Sequence, residues 1–332
     1  MDSVYWVLSR DCNQRCPHCY NHSQPGAPGL TLSEVDRCVA NLPDPADVAV
    51  GRVILSGGEV LVWPELLFHA LRRLRERFDE RTELWVQTNG DLLDDGMLQR
   101  LLDHSVCRID VASMDRFHKK TTLQRRDFLE QLFVAFGMVS AIGDEPVLGK
   151  ERADQRSATR KPAPHASYAF WGANEDEWIG PIWPRGRAQE KKLSKAGPED
   201  RFCSMWSGAK NFLEYRGDGC EINLQLSDVY PCCPMTFRPI GSLLQESLTA
   251  ILDRCRNHSV FAALNEGRPE ALGESLGLSE EFGYERSRQL GNHCLWCDEF
   301  FAKYAPEILL SGSQTERGTA DLVQIGWSAE TN

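Results

Sequence analysis

Cys12-Asn-Gln-Arg-Cys16-Pro-His-Cys19 sets three thiols in one short run with the spacing C-x3-C-x2-C. Thiolates are soft ligands that suit iron–sulfur clusters or zinc. Three cysteines without a local fourth can hold three irons of a [4Fe–4S] cluster and leave the fourth iron open to a ligand. Zinc would need a fourth donor, and His18 or His22 stands close enough in sequence to supply one. The spacing alone leaves both readings open. A second set lies beyond residue 200: Cys203, Cys220, Cys232, Cys233, Cys255, Cys294 and Cys297. Cys38, on a helical stretch, and Cys107, opening a strand, read as small core residues.

Elements that must position the first set follow from periodicity. Val4–Leu8 is a short apolar and aromatic run, which predicts a strand leading directly into the cysteines. Thr31-Leu-Ser-Glu34 carries a helix-start signature. Val53–Leu55 predicts a second strand, ending at Ser56-Gly57-Gly58-Glu59. Pro64–Phe78 has helical spacing. Glu83–Gln87 predicts a third strand, ending at Thr88-Asn89-Gly90, and Asp94–His104 a helix. Cys107–Ala112 predicts a fourth strand, ending at Ser113-Met-Asp115. Strands alternating with helices predict a parallel sheet, as a barrel or an open α/β fold. In either, ligands gather at the carboxyl ends of the strands, where all four motifs lie. Farther on, Phe128–Val139 predicts a helix and Tyr168–Trp171 a strand, while 143–166 and 189–200 read as loops.

Composition bounds the function. The chain has 332 residues and twelve cysteines, with a net charge of −11 from 37 basic and 48 acidic residues. That balance disfavours a nucleic-acid partner. No apolar run is long enough for a membrane span, and no secretory signal pattern opens the sequence. A cytoplasmic protein is expected, where cysteines serve metals or catalysis more often than disulfides.

The order of these motifs resembles the radical S-adenosylmethionine (SAM) superfamily. Cys12, Cys16 and Cys19 match its cluster motif, with His18 in the aromatic position. Ser56-Gly57-Gly58-Glu59 resembles its GGE motif, which binds the SAM amino group. Asn89 and Ser113 stand at strand ends where the family places groups near SAM. The resemblance implies a partial (β/α)6 barrel over residues 1–190. It also implies a reduced [4Fe–4S] cluster that donates an electron to the sulfonium of SAM, releasing methionine and a 5′-deoxyadenosyl radical that abstracts a hydrogen atom. A flavodoxin- or ferredoxin-type donor would supply the electron.

Ser227-Asp-Val-Tyr-Pro-Cys232-Cys233, the following Ile240-Gly-Ser-Leu and Cys294-Leu-Trp-Cys297 resemble the auxiliary-cluster domain called SPASM or, in its shorter form, twitch. Arg185-Gly-Arg187-Ala before it recurs in those enzymes, and Arg187 is expected at the cofactor site. The likeness implies a second, small domain over 200–305 with one auxiliary [4Fe–4S] cluster on Cys203, Cys232, Cys294 and Cys297. Ser227 replaces the family's glycine and the gap after Cys203 is long, so Cys220 is the alternative ligand; four-cysteine zinc is the alternative metal. A mobile tail is expected over 311–332.

Among twitch enzymes, the likeness is to dehydrogenases of 2-deoxystreptamine biosynthesis and relatives that oxidise or epimerise carbinol carbons in aminoglycosides. It implies hydrogen abstraction from a small polar sugar or aminocyclitol. An epimer would need a thiol donor, with Cys255 or Cys233 as candidate; oxidation would be helped by a base, for which Glu214, Glu221 and Asp228 are candidates. Two other readings are a maturase acting on a ribosomally made peptide and a zinc-stabilised binding protein. The peptide reading is weaker than the small-molecule one, because the cluster motif starts at residue 12 with no leader-binding segment before it.

Overall fold

Runs such as Ser3-Val-Tyr-Trp-Val7 and Arg52-Val-Ile-Leu-Ser56 are rich in β-branched and aromatic residues, which favour the pleated backbone. In the computed structural model, which describes residues 1–118, 122–141, 165–172, 182–205, 207–217 and 219–309, they form β1 (Ser3–Val7) and β2 (Arg52–Ser56). With β3 (Glu83–Thr88) and β4 (Val106–Val111) they lie parallel, each beside the next. Helices α1 (Leu32–Ala40), α2 (Pro64–Arg77) and α3 (Asp95–Asp103) make the connections. Thr31 caps α1 in a reciprocal box with Glu34, and Asp94 caps α3. Each cap satisfies a backbone N–H that the first helical turn leaves without a partner.

Helix α4 (Leu123–Ala135) begins five residues before the expected Phe128 and ends four before Val139. Its apolar residues point both inward and outward, with Leu123 and Val134 exposed, so periodicity marks no clean start. Val139–Ser140 is instead a short strand, β5. β6 (Ser167–Phe170) inserts between β4 and β5, all three parallel. These six parallel strands, the first five joined in turn by α1 to α4, form the α/β half-barrel. Most of the loop expected over 143–166, and all of the tail over 311–332, lie outside the described residues.

The C-terminal part joins the same sheet. After α5 (Gly186–Glu190), strand β7 (Glu221–Gln225) pairs parallel with β1, Ser3 opposite Glu221. β8 (Asp228–Tyr230) and β9 (Gly241–Ser242) then add antiparallel. The order is β5-β6-β4-β3-β2-β1-β7-β8-β9. The region expected as a separate small domain therefore shares a sheet with the barrel. Beyond it run α6 (Leu248–Arg256), α7 (Ser259–Asn265), α8 (Glu280–Leu290) and α9 (His293–Lys303). Among the described residues, no helix is long and apolar enough to cross a membrane.

Side chains alternate across this sheet, as the pleat requires. Val4, Trp6, Val53, Leu55, Leu84, Val86, Ile109 and Val111 belong to the apolar core beneath the helices. Fully burying one such side chain is worth about 1.5–3 kcal/mol. The other face carries Tyr5, Ser56, Gln87, Arg108 and Asp110, and these border a cavity. A closed barrel fills its interior with branched apolar residues; this one keeps a polar interior and an opening.

Candidate active site

The loop after β1 carries the three cysteines, and it is held from two sides. The Gly57-Gly58 turn after β2 lies flat against it: Gly58 N–H donates to the Ser9 carbonyl (2.7 Å) and Glu59 N–H to that of Asp11 (2.8 Å). A Cβ on Gly58 would sit 2.4 Å from the Asp11 carbonyl oxygen, so only glycine allows this approach. From the other side, Asn13 and Gln14 side chains donate to Asp91 Oδ2 (3.0 and 2.7 Å), and Asn89 Nδ2 donates to Asn13 Oδ1 (2.8 Å).

Cys12, Cys16 and Cys19 all border one cavity of about 270 Å³, together with His18, Gly57, Gly58, Asn89 and Arg187. Cys12 is buried; Cys16 and Cys19 are half-buried. Burial pushes the Cys12 thiol up to about 12, so a cation is needed to hold it as thiolate. Three thiols gathered on one open cavity, whose described wall carries Cys233 as its one other cysteine, fit a cluster with one uncommitted iron.

Two expected residues face elsewhere. Glu59 is fully buried behind the glycine turn, where its carboxylate accepts from Thr88 Oγ1 (2.6 Å), Asn89 N–H (2.6 Å) and Leu61 N–H (3.0 Å). It does not border the cavity, and its hydrogen bonds tie β2 to β3. Ser113 is buried likewise and donates to the Asn89 carbonyl (2.8 Å). Asp115, two residues on, does reach the cavity, accepting from His118 Nδ1 at 2.9 Å. Burial opposes protonation of His118, but hydrogen bonds to Asp115 and Cys16 outweigh it and hold its pKa up at about 9. His18 stacks on Phe117 with ring centroids 4.8 Å apart, and burial lowers its pKa to about 4.

Arg187 has a task besides bordering the cavity. Its Nε donates to the Cys16 carbonyl (2.8 Å) and its NH2 to that of Ser23 (2.7 Å), while its backbone N–H donates to the Cys19 carbonyl (3.0 Å). Two residues earlier, Arg185 makes a two-point pair with Asp298 (2.7 and 3.0 Å) and donates to the carbonyls of Pro234 (2.7 Å) and Cys294 (3.0 Å). Gly186 between them has φ +52°, and a Cβ there would lie 2.4 Å from the Tyr20 carbonyl oxygen. One short turn thus braces both cysteine sites.

At the second site, burial raises the Cys203 and Cys297 thiols well above their usual range, and Cys232 and Cys294 to about 12 and 11; neighbouring thiols add to this at Cys203 and Cys232, and Asp298 at Cys294 and Cys297. The four lie within electrostatic reach of one another, three of them (Cys232, Cys294 and Cys297) beside the Arg185 guanidinium, and none is in a disulfide. Buried unpaired thiols so placed fit a metal that would neutralise them as thiolates. Cys220 lies elsewhere, donating to the Phe212 carbonyl (3.2 Å) at the base of β7. Cys255 lies on the buried face of α6, in the core, and does not border the cavity. Cys233 does, with Asn223 Nδ2 donating to its Sγ at 2.9 Å. Of the candidate bases, Glu214 is exposed, Glu221 accepts from Ser3 Oγ (2.6 Å), and neither these nor Asp228 borders the cavity.

Residues 6–136 match the family model described as Radical SAM superfamily. This part of the chain is a radical SAM domain. Its cofactors are a [4Fe–4S] cluster and SAM. A GTP 3′,8-cyclase from Ectopseudomonas mendocina (strain ymp) is 31% identical over 134 residues, which are 40% of this chain and 39% of that protein. The chain thus spans about two fifths of the length of the curated relative it matches. Among solved structures, BtrN in complex with AdoMet and 2-DOIA is 13% identical with a TM-score of 0.47, covering 81% of this chain and 90% of BtrN. Native anSMEcpe with bound AdoMet is 12% identical with a TM-score of 0.47, covering 92% and 98%. SuiB from Streptococcus suis is 10% identical with a TM-score of 0.40, covering 79% and 67%.

The cavity also collects residues that no motif marked: Tyr5, Trp85, Gln87, Arg108, Asp110 and Trp171. Their signal in the sequence is period-two alternation, most clearly Arg108 and Asp110 within Val106-Cys-Arg-Ile-Asp-Val111.

Proposed function

We propose that this chain is a radical SAM enzyme that removes a hydrogen atom from a carbinol C–H of a small polar substrate, such as an amino sugar or aminocyclitol, leading to oxidation or epimerisation. One observation carries the reading: the cavity that holds Cys12, Cys16 and Cys19 continues without interruption onto the polar inner face of the barrel. When bound, the cluster and SAM supply the 5′-deoxyadenosyl radical. The chain's residues then have separable tasks. Gly57 and Gly58 let a ligand approach the backbone beside Cys12, Asn89 borders the same space, and the sheet walls exclude water from it.

The second cysteine site is assigned one auxiliary [4Fe–4S] cluster on Cys203, Cys232, Cys294 and Cys297, four ligands that leave no iron open. For proton transfer, Asp110, Asp115 and His118 face the cavity and replace Glu214, Glu221 and Asp228 as candidates. For epimerisation the thiol candidate moves from Cys255 to Cys233, because only the latter reaches the cavity. A small-molecule or peptide substrate and a flavodoxin- or ferredoxin-type donor complete the assignment. Anaerobic purification tests it: a brown protein with about eight irons that forms 5′-deoxyadenosine from SAM and dithionite is expected. A colourless zinc protein would contradict it.

A further inference from the structure

The β4 wall of the cavity is chemically distinct from its cysteine loop. Arg108 and Asp110, two apart on β4, point to the same side, and Arg108 Nε donates to Asp110 Oδ1 at 2.9 Å. Trp171 Nε1 donates to the same oxygen at 3.0 Å. The Arg108 guanidinium lies 4.4 Å from the Trp85 ring centroid, and that of Arg52 lies 4.5 Å from the same centroid, so two cations grip one indole. The Arg108 and Asp110 side chains are only 3% and 11% exposed. A buried ion pair is a weak source of stability, since desolvation offsets its attraction. Apolar residues of similar volume would fill a structural barrel floor equally well. A buried, indole-braced pair on a cavity wall is instead what a pre-organised polar binding site needs.

We infer that Arg108 and Asp110 form the substrate-gripping edge of the cavity and take adjacent polar groups, an amino alcohol or a diol, of a ring whose C–H face rests on Trp171. This inference rests on the reading that the cavity takes a small polar substrate, and narrows it. The edge sets N–H donors beside carboxylate acceptors, matching a ligand that carries both a lone pair and an O–H or N–H on neighbouring carbons. Charges of both signs stand side by side in the pair, so it recognises a ligand by directional hydrogen bonds. The Trp171 indole plane supplies the apolar face that a ring's C–H groups need. The edge is built on a strand and its indole braces, which fixes its geometry before a ligand arrives.

The test uses the full chain reconstituted anaerobically with iron, sulfide and SAM. Binding of 2-deoxystreptamine, glucosamine and GTP is measured by calorimetry, alongside 5′-deoxyadenosine formed by wild type without any substrate. Wild type should bind at least one of the two amino alcohols and bind GTP more weakly. Asp110→Asn and Arg108→Gln should each weaken that binding by ~10–100-fold, the effect of losing a charge-assisted hydrogen bond. Iron content reports whether each variant is folded around its clusters. Trp171→Phe, which keeps a ring and removes the N–H to Asp110, guards against misfolding of the charge variants and should weaken binding by a smaller factor. Tighter binding of GTP, no binding of either amino alcohol, or unchanged binding in all three variants overturns the inference. Failure of wild type to cleave SAM overturns the parent reading instead.

Discussion

The molecule holds two cysteine sites braced by one turn, and they differ in the way that matters for chemistry. At the first, three thiols sit on a loop at the mouth of a cavity, two of them half-buried, and the Arg187 guanidinium holds backbone carbonyls around them. At the second, three of four thiols are buried, two of them on α9, and Arg185 sits beside Cys232, Cys294 and Cys297 as a buried counter-charge, locked by Asp298. Three ligands facing space suit a centre that must accept a substrate. Four mostly buried ligands suit a centre that exchanges electrons only or holds the fold. Two arginines one residue apart serve both, so Arg185-Gly186-Arg187 is the joint through which one site's geometry constrains the other.

Breaking either site should expose that contrast. Cys16→Ala should abolish 5′-deoxyadenosine formation, whereas Cys294→Ala should leave substrate-free SAM cleavage within a few-fold of wild type while losing about half the iron; chromatography of the nucleoside product and iron analysis separate the two outcomes. Gly186→Ala should cost most of the iron at both sites, since its Cβ would strike the Tyr20 and Cys19 carbonyls. Retention of full iron in that variant would dismiss the joint.

Conservative changes should then sharpen the division. Lysine cannot reproduce the forked contacts of arginine. Arg187→Lys should therefore broaden the electron paramagnetic signal of the first centre, and Arg185→Lys that of the second, each by itself. Joint loss of both signals in either variant would argue for a general role in folding.

The smallest expected effect concerns stability. Burial raises the Asp228 carboxyl to about 6, against the pull of Arg10 and Ser242. A carboxyl with a raised folded pKa binds more protons folded than unfolded, so its contribution falls as pH climbs from about 4 to about 6 and stays low above that. Asp228→Asn should raise stability at pH 7–8 by ~1–2 kcal/mol and give no gain below pH 4. Denaturant unfolding at both pH values measures this.

Much of the first site was legible because its residues are close in sequence. Cys12, Cys16 and Cys19 fall in one run, and each later motif ends its own strand, so local pattern led to the right edge of the sheet. What stayed hidden depends on partners far apart in sequence. The pairing of β7 with β1 joins residues more than two hundred positions apart, and no local feature of Glu221–Gln225 announces it. The turning of Glu59 toward Thr88, and of Arg187 toward the Cys16 carbonyl, follows from loop packing that spacing does not encode. Cys255 and Cys233 look equivalent as sequence. Only the fold separates them, placing one on the buried face of α6 and the other on the cavity wall. Arg108 and Asp110 do carry a local signal, because charged residues at alternate positions of an apolar strand demand a polar face.

The three-cysteine site should bind SAM and the four-cysteine site should not. Electron paramagnetic resonance of the dithionite-reduced protein with and without SAM, in wild type and in a variant with Cys12, Cys16 and Cys19 all changed to alanine, distinguishes them. SAM should alter the wild-type spectrum, and the triple variant should keep one reduced-cluster signal insensitive to SAM. A SAM-dependent change in the triple variant, or none in wild type, would contradict this assignment.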